Sequence, residues 1–477
     1  MDTNLKNLDL PNFQLSSDAT EFESLLSLQE PAKILIQQID SYLQDENKKG
    51  LLNIYDLEFN KLADRISLPS PAQLKDTVPQ QILCLYSELF FRHLYSKSSV
   101  TPISRIQSFH NYRTLFSLAL NEMQHVQLPP QWVWDILDEF LYQFQSFWQN
   151  FGKFREELES KNVWTLESIT ALLGNLQTSS RIFNAGKLSA PSAEFLSLLG
   201  FFSSVAMIKL HTQQANYQAA LDNARSIDTT GLKHLANYPA CYISLHYYVG
   251  FSAMMLGRTY DAANCFERGL SYLYRIRQYL TRSYQYNILM KRADQILMLL
   301  TVVNTLTPIP IDNYLERLIR DKFRDKQHRM KIGDETAFDE AFYYAGPKIV
   351  DSKSGDNQTL ASSSLDKYRE IVRRFIPILQ ITSYLDAYLP NIPIPISTLD
   401  SNLGNITQSA LESWKQHSVQ FTFSAGFSEK KSPAFYSARE VIQENGKVYM
   451  KSKDASEELA GLLWEQSRRL REIRTSL

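Results

Sequence analysis

The side chains with most scope for chemistry in this 477-residue chain are carboxylates. Asp135, Asp138 and Glu139 stand three and four residues apart, which on a helix sets Asp138 and Glu139 beside Asp135. Such a pair can do general acid and base work if burial splits the two pKa values. No matching histidine, lysine or metal-ligand pattern accompanies them, so a solvated polar face is the favoured reading, ahead of partner hydrogen bonding and of catalysis. None of the eight histidines lies four residues from another, which removes the paired ligands of a helical zinc site. No phosphate cradle G-x-x-x-x-G-K-[ST], dinucleotide turn G-x-G-x-x-G or nucleophile elbow G-x-S-x-G occurs. The expectation is a protein without catalytic residues, cofactor or metal.

The second candidate is a basic run. Arg320, Lys322, Arg324, Lys326, Arg329 and Lys331 outnumber the neighbouring Asp321 and Asp325, and such groups contact phosphates or an acidic partner. A solvated helical face is the competing explanation. Over the whole chain 50 Lys and Arg balance 51 Asp and Glu, so there is no broad positive field and any RNA contact should be local. Cys84, Cys241 and Cys265 are too scattered for a disulfide framework or zinc site, which favours buried thiols in a reducing compartment.

The elements that must position these residues read as almost entirely helical from Pro31 to Val350. Pro129 and Pro130 lead into a stripe of Trp132, Ile136, Phe140, Phe144 and Phe147, widened by Val133, Leu137, Leu141 and Trp148, which marks a buried helix. Tyr217-Gln218-Ala219-Ala220 returns as Tyr260-Asp261-Ala262-Ala263, a step of 43 residues. With Gly250, Gly257 and Phe266 it forms a tetratricopeptide-like pattern, in which small residues let two helix backbones approach. The polar stretch from Asp351 to Ser364 reads as a flexible connector.

Beyond it, Leu365, Tyr368, Ile371, Val372, Phe375, Ile378 and Leu379 mark a helix containing Pro377. A short helix from Ser397 to Asp400 and a second from Gln408 to His417 suggest a helix-turn-helix. Asn445-Gly446 between two strand-like runs signals a tight hairpin, the wing of a winged helix. A final helix carries Leu459, Leu463, Gln466, Leu470 and Ile473 on a heptad seam suited to a partner helix. The expected organisation is thus mainly α. A flexible acidic tail occupies 1–30, a helical region 31–198, repeats 199–350, the connector 351–364, a helix and winged helix 365–453, and a bundle helix 454–477. The acidic start does not fit a signal peptide, and no apolar run looks long enough to cross a bilayer.

Helical repeats followed by a winged helix and a terminal helix resemble the PCI fold of the proteasome lid, the COP9 signalosome and translation initiation factor 3. Leu128 to Phe147, LPPQWVWDILDEFLYQFQSF, looks very much like the signature segment of the initiation factor's L-subunit family. Leu199-Gly200-Phe201-Phe202, Lys209-Leu210-His211, Tyr247-Tyr248-Val249-Gly250-Phe251 and the stretch from Tyr284 to Asp334 extend the resemblance over most of residues 80–350. It implies a cytoplasmic, non-catalytic scaffold of the preinitiation complex that has the factor's K and E proteins as partners, K closely paired, and helps bind the small ribosomal subunit. The alternative is a PCI scaffold of the lid or the signalosome. Pro390-Asn391-Ile392-Pro393-Ile394-Pro395 departs from the family pattern before the wing.

Overall fold

The computed structural model describes residues 30–44, 54–97, 100–121, 128–150, 163–183, 190–227, 229–281, 283, 285–307 and 311–385. It also describes 394–398, 420–423, 429–432, 439–444 and 447–452. The chain divides into two compact units, Met1–Trp132 and Val133–Leu477. The boundary expected between residues 198 and 199 falls instead inside one continuous helix, Ala190–Gln213.

In the first unit α1 (Glu30–Gln44) precedes a π-helical turn at Ile54–Phe59 and the short helices α2 (Asn60–Ala63) and α3 (Pro71–Leu74). The longer α4 (Gln80–Ser96) and α5 (Pro102–Asn121) follow. Leu85, Tyr86 and Leu89 of α4 are fully buried. Burial of polar groups requires partners: the Tyr86 hydroxyl donates to the Pro69 carbonyl at 2.7 Å, and Asn111 donates to the Cys84 carbonyl at 3.0 Å. Burial pushes the Glu88 carboxyl up, against the opposing pull of its ion-pair partner Arg92.

The second unit is built from helices in sequence order. They are α6 (Pro130–Gln149, which carries the unit boundary), α7 (Leu166–Phe183), α8 (Ala190–Gln213), α9 (Tyr217–Ala224) and α10 (Thr229–Leu235). Then come α11 (Pro239–Met255), α12 (Thr259–Leu280), α13 (Tyr286–Leu306), α14 (Asn313–Lys331), α15 (Glu335–Ala345) and α16 (Asn357–Leu385). The whole stripe read on α6 is buried, joined by Trp134. The Trp148 indole donates to the carbonyl of Trp164, a residue held at φ 58° whose ring is fully buried. Packing and that hydrogen bond offset a backbone conformation that a bulky side chain rarely adopts.

The repeat is real, but its register is 42 residues rather than 43, running from Tyr217 to Thr259 at the first positions of α9 and α12. Both preceding turns pass through positive φ, Ala215 at 56° and Gly257 at 72°. In each, the following amide reaches back five residues, Asn216 to His211 and Arg258 to Ala253. With that alignment the buried sets coincide: Tyr217, Ala220, Leu221 and Ala224 match Thr259, Ala262, Ala263 and Phe266. The recurring Tyr-x-Ala-Ala therefore overlays two residue sets that face differently. Gly250 lets the Phe266 ring of α12 lie against the α11 backbone, since a Cβ there would be 2.5 Å from Phe266 Cε1.

Two further expectations are corrected. The stretch read as a flexible connector is a hydrogen-bonded turn followed by the opening turns of α16: Asp351 accepts from the Lys353 amide, and its own amide donates to Asn357 Oδ1 at 2.6 Å. Asn, Asp and Ser are cap-forming residues as well as loop-forming ones, so composition did not separate the two. The apolar run Phe195–Gln213 is long and apolar enough to cross a bilayer by length and composition, yet 78% of it is buried within the fold, as in a core helix.

After α16, which contains Pro377, the strands β1 (Ile394–Pro395), β2 (Gln420–Phe423), β3 (Glu429–Ser432), β4 (Arg439–Glu444) and β5 (Lys447–Ser452) are short and antiparallel. β5 lies between β1 and β4, and β2 pairs with β3. Glu444 pairs with Lys447, so the hairpin read at Asn445-Gly446 has the expected register. Residues 1–29, Leu399 and Asp400, the helix read over Gln408–His417, and the terminal helix over Asp454–Leu477 lie outside the described residues.

Two tests follow from this packing. Gly250→Ala should destabilise the chain by about 1 to 3 kcal/mol through overpacking, and combining it with Phe266→Leu should recover part of the loss; equilibrium denaturation of the single and double variants measures both. His246, 1% exposed on α11, is held at about 3 instead of 6.5 by burial and by Arg268. Its folded value lies below its unfolded one, so its contribution is intact above pH 6.5 and is lost as pH falls from 6.5 toward 3. Each unit in that window costs about 1.4 kcal/mol. A His246→Gln variant should therefore lose stability less steeply than the parent between neutral and acidic pH.

Candidate functional site

The acidic trio on α6 is not a simple solvated face. The Lys209 ammonium on α8 donates to Asp138 Oδ1 at 2.7 Å, with the lysine side chain 8% exposed and the aspartate 46% exposed. One rung earlier Trp134 meets Phe202, and one rung later Gln213 donates to Gln145 at 2.7 Å. These contacts advance together along both helices, so α6 and α8 run parallel, as equivalent members of successive helical pairs do. The Thr212 and Ser252 hydroxyls, 2.9 Å apart, carry the same alignment on to α11.

The polar level containing Lys209 continues across the inner helices. Tyr247 and Tyr248 of α11 lie beneath the Arg292 guanidinium of α13, whose central carbon is 4.2 Å and 5.8 Å from their ring centres. The Tyr247 hydroxyl donates to the Ala345 carbonyl at 2.7 Å, which ties α11 to the end of α15. Arg292 Nη1 donates to Gln295 Oε1 at 3.0 Å, and Gln295 donates in turn to the Tyr344 carbonyl at 3.4 Å. Gln285, just before α13, donates to Asp135 Oδ1 at 2.8 Å and so connects α13 back to α6. Glu139 stays local, accepting from Gln143 at 3.1 Å.

Electrostatics keep Lys209 charged. Burial pushes the ammonium down, but the Asp138 carboxylate and its hydrogen bond outweigh that and raise it above its ordinary value. A lysine held charged in this way cannot serve as a neutral amine nucleophile or base near neutral pH, and Asp138 is occupied as its counter-ion. The rung can orient helices and present charge. Among the described residues no cluster of three metal-ligating side chains occurs.

The basic run lies on α14 and is largely paired within the fold. Arg320 meets Glu316, Lys322 meets Asp294 at 2.6 Å, Lys326 approaches Glu340, and Arg329 meets Asp334 and Glu340. Arg324 and Lys331 are exposed without a carboxylate at ion-pair distance among the described residues. Leu459, Leu463, Gln466, Leu470 and Ile473 lie outside the described residues. Sequence reasoning missed Lys209 and Arg292 as site residues: Lys209 meets Asp138 some 71 residues away, and Arg292 meets the rings of Tyr247 and Tyr248 across the fold. Lys209, Tyr247 and Tyr248 do fall in the motifs that carried the family resemblance.

Residues 104–460 match the family described as RNA polymerase I-associated factor PAF67. Curated relatives are named eukaryotic translation initiation factor 3 subunit L. The protein of Nematostella vectensis is 34% identical over 354 residues, covering 67% of this chain and 67% of its own length. That of Mycosarcoma maydis is 35% identical over 343 residues, covering 65% of this chain and 51% of its own. The Danio rerio protein is 33% identical over 329 residues, with 62% and 57% covered. The chain thus spans between half and two thirds of the length of these relatives.

The exposures of the ion pair predict an asymmetry. Asp138→Ala strands a buried ammonium, whereas Lys209→Met leaves a carboxylate that water can reach. The first should cost about 1.5 to 3 kcal/mol and the second less, read as shifts of the denaturation midpoint at constant slope. The reverse order would mean that the pair is not what fixes this level of the fold.

Proposed function

Because the chain belongs to the family of subunit L of eukaryotic translation initiation factor 3, we propose that it is a non-catalytic scaffold within that multi-subunit complex, supporting binding to the small ribosomal subunit and formation of the preinitiation complex. The observation that carries the reading is that the family match over residues 104–460 spans the stacked helices of the second unit. Stacked helical pairs offer extended surfaces to other proteins, and Asp138, the most prominent carboxylate of α6, is engaged in holding helices together.

On this reading the partners are the factor's other proteins, with K and E as neighbours, in the cytoplasm. The β4–β5 hairpin supports a winged-helix module, and the heptad pattern of Leu459, Leu463, Gln466, Leu470 and Ile473 suits docking into a bundle of partner helices. Contact with rRNA would fall to Arg324 and Lys331, because the other cations of the basic run already have carboxylate partners.

The test is recovery of tagged full-length chain from its native cytoplasm. It should bring down other subunits of initiation factor 3 and sediment partly with small ribosomal particles. Recovery solely with proteasome-lid or signalosome subunits would overturn the assignment. Replacing Arg324 and Lys331 by Glu should weaken particle association and flatten its salt dependence while subunit recovery is unchanged. An unaltered salt dependence would remove the rRNA contact.

A further inference from the structure

Arg292 differs from several other arginines of this unit. Arg258, Arg329, Arg369 and Arg373 each have a carboxylate partner within 3 Å. Arg292 is half-buried over two tyrosine rings, its side-chain acceptor is the neutral Gln295, and no carboxylate lies at ion-pair distance among the described residues. Lys209 belongs to the same level, so two cations share one nearby carboxylate, Asp138, which is already bonded to the lysine. A guanidinium partly withdrawn from water, whose nearest carboxylate is committed to another cation, keeps planar donors shaped to take a further carboxylate.

The surroundings select the kind of partner. Ile288, 68% exposed, stands one turn before Arg292 on the same face of α13. Tyr344, 47% exposed, offers its carbonyl to Gln295, and Tyr142, 45% exposed, stands one turn beyond Asp138. Exposed apolar and aromatic side chains around an arginine are the composition of a protein interface. Asp135, Asp138, Glu139 and Asp294 make the same region unfavourable to a run of negative charges, so the partner group is a single carboxylate among apolar neighbours.

We infer that Arg292 is the receptor for a single carboxylate on a partner protein of the complex, borne by a segment whose apolar neighbours cover Ile288. The inference rests on the proposed scaffold function. It places a protein contact on α13 and the helices packed against it.

The test uses the complex carrying tagged full-length chain with Arg292→Lys, treated with a water-soluble carbodiimide. The reagent activates a carboxylate as an O-acylisourea. The lysine amine attacks the acyl carbon, an amide bond forms, a urea leaves, and the amine's proton is lost to water. A guanidinium does not couple in this way, so the parent complex is the control. Mass spectrometry should find position 292 joined to an Asp or Glu of another protein of the complex. The second variant, Ile288→Lys, changes an exposed position without touching the buried level and should couple to the same segment. Loss of one protein from the complex of the Ile288→Lys variant, while the chain's own melting temperature is unchanged, supports the contact equally. Coupling only within the chain, to RNA-bound material, or to nothing in either variant overturns the inference. If unsubstituted chain recovers no other proteins of the factor, the scaffold reading fails instead.

Discussion

An ammonium group cannot rest where Lys209 rests unless Asp138 stands opposite it. Apolar stripes such as those of α6 and α8 bury comparable area at several offsets, because one leucine-sized group can replace another along a ridge. An ion pair with one partner sealed from water tolerates no such sliding, since a shift of one turn would leave the charge uncompensated. The pair sets the level at which α6 meets α8. Trp134 against Phe202 and Gln145 against Gln213 then fall into place on either side. The tyrosines of α11 and the guanidinium of α13 continue that level. Hydrophobic burial supplies most of the driving force for the stack, and these few polar groups choose among its alternatives.

Much of this architecture is legible in the sequence because it depends on local periodicity. The stripe from Trp132 to Trp148, the apolar face of α16 and the hairpin at Asn445-Gly446 each follow from residues close together in the chain. The repeat was legible in kind but not in register. Tyr-x-Ala-Ala recurs after 43 residues, whereas the helices restart after 42, because the turns at Ala215 and Gly257 set the phase: Tyr217 is the first residue of its helix and Tyr260 the second of its own. A motif match weighs side-chain identity, while facing is decided by the backbone turn before it.

What the sequence could not disclose is pairing at long range. Asp138 reads as solvated until Lys209 is brought to it, and Lys322 and Arg329 read as free cations until Asp294, Asp334 and Glu340 are placed beside them. A balanced total of 50 basic and 51 acidic residues excludes a broad positive field and says nothing of which charges pair. Which ones are neutralised depends on how α13, α14 and α15 pack. The polar composition of Asp351 to Ser364 was ambiguous for a different reason, since the residues that favour open loops are also those that cap helices.

The turn before α16 has a consequence for how the second unit unfolds. The Val350 amide donates to the Gln213 carbonyl at 2.8 Å, Ser352 donates to Gln214 at 2.6 Å, and Asn357 donates to the Trp148 carbonyl at 2.9 Å. Asn357 and Trp148 are 209 residues apart in sequence. An open array of helical pairs can fray from its end, one pair at a time, because each pair touches only its neighbours. Here the late segment is fastened to the ends of α6 and α8, so α16 cannot peel away without releasing groups that cap the earliest helices of the unit. Contacts of this kind couple late and early helices of the stack and favour one cooperative transition over fraying. Assembly of the stack waits on a loop closure of about two hundred residues, which makes folding slow relative to an open array of the same helices.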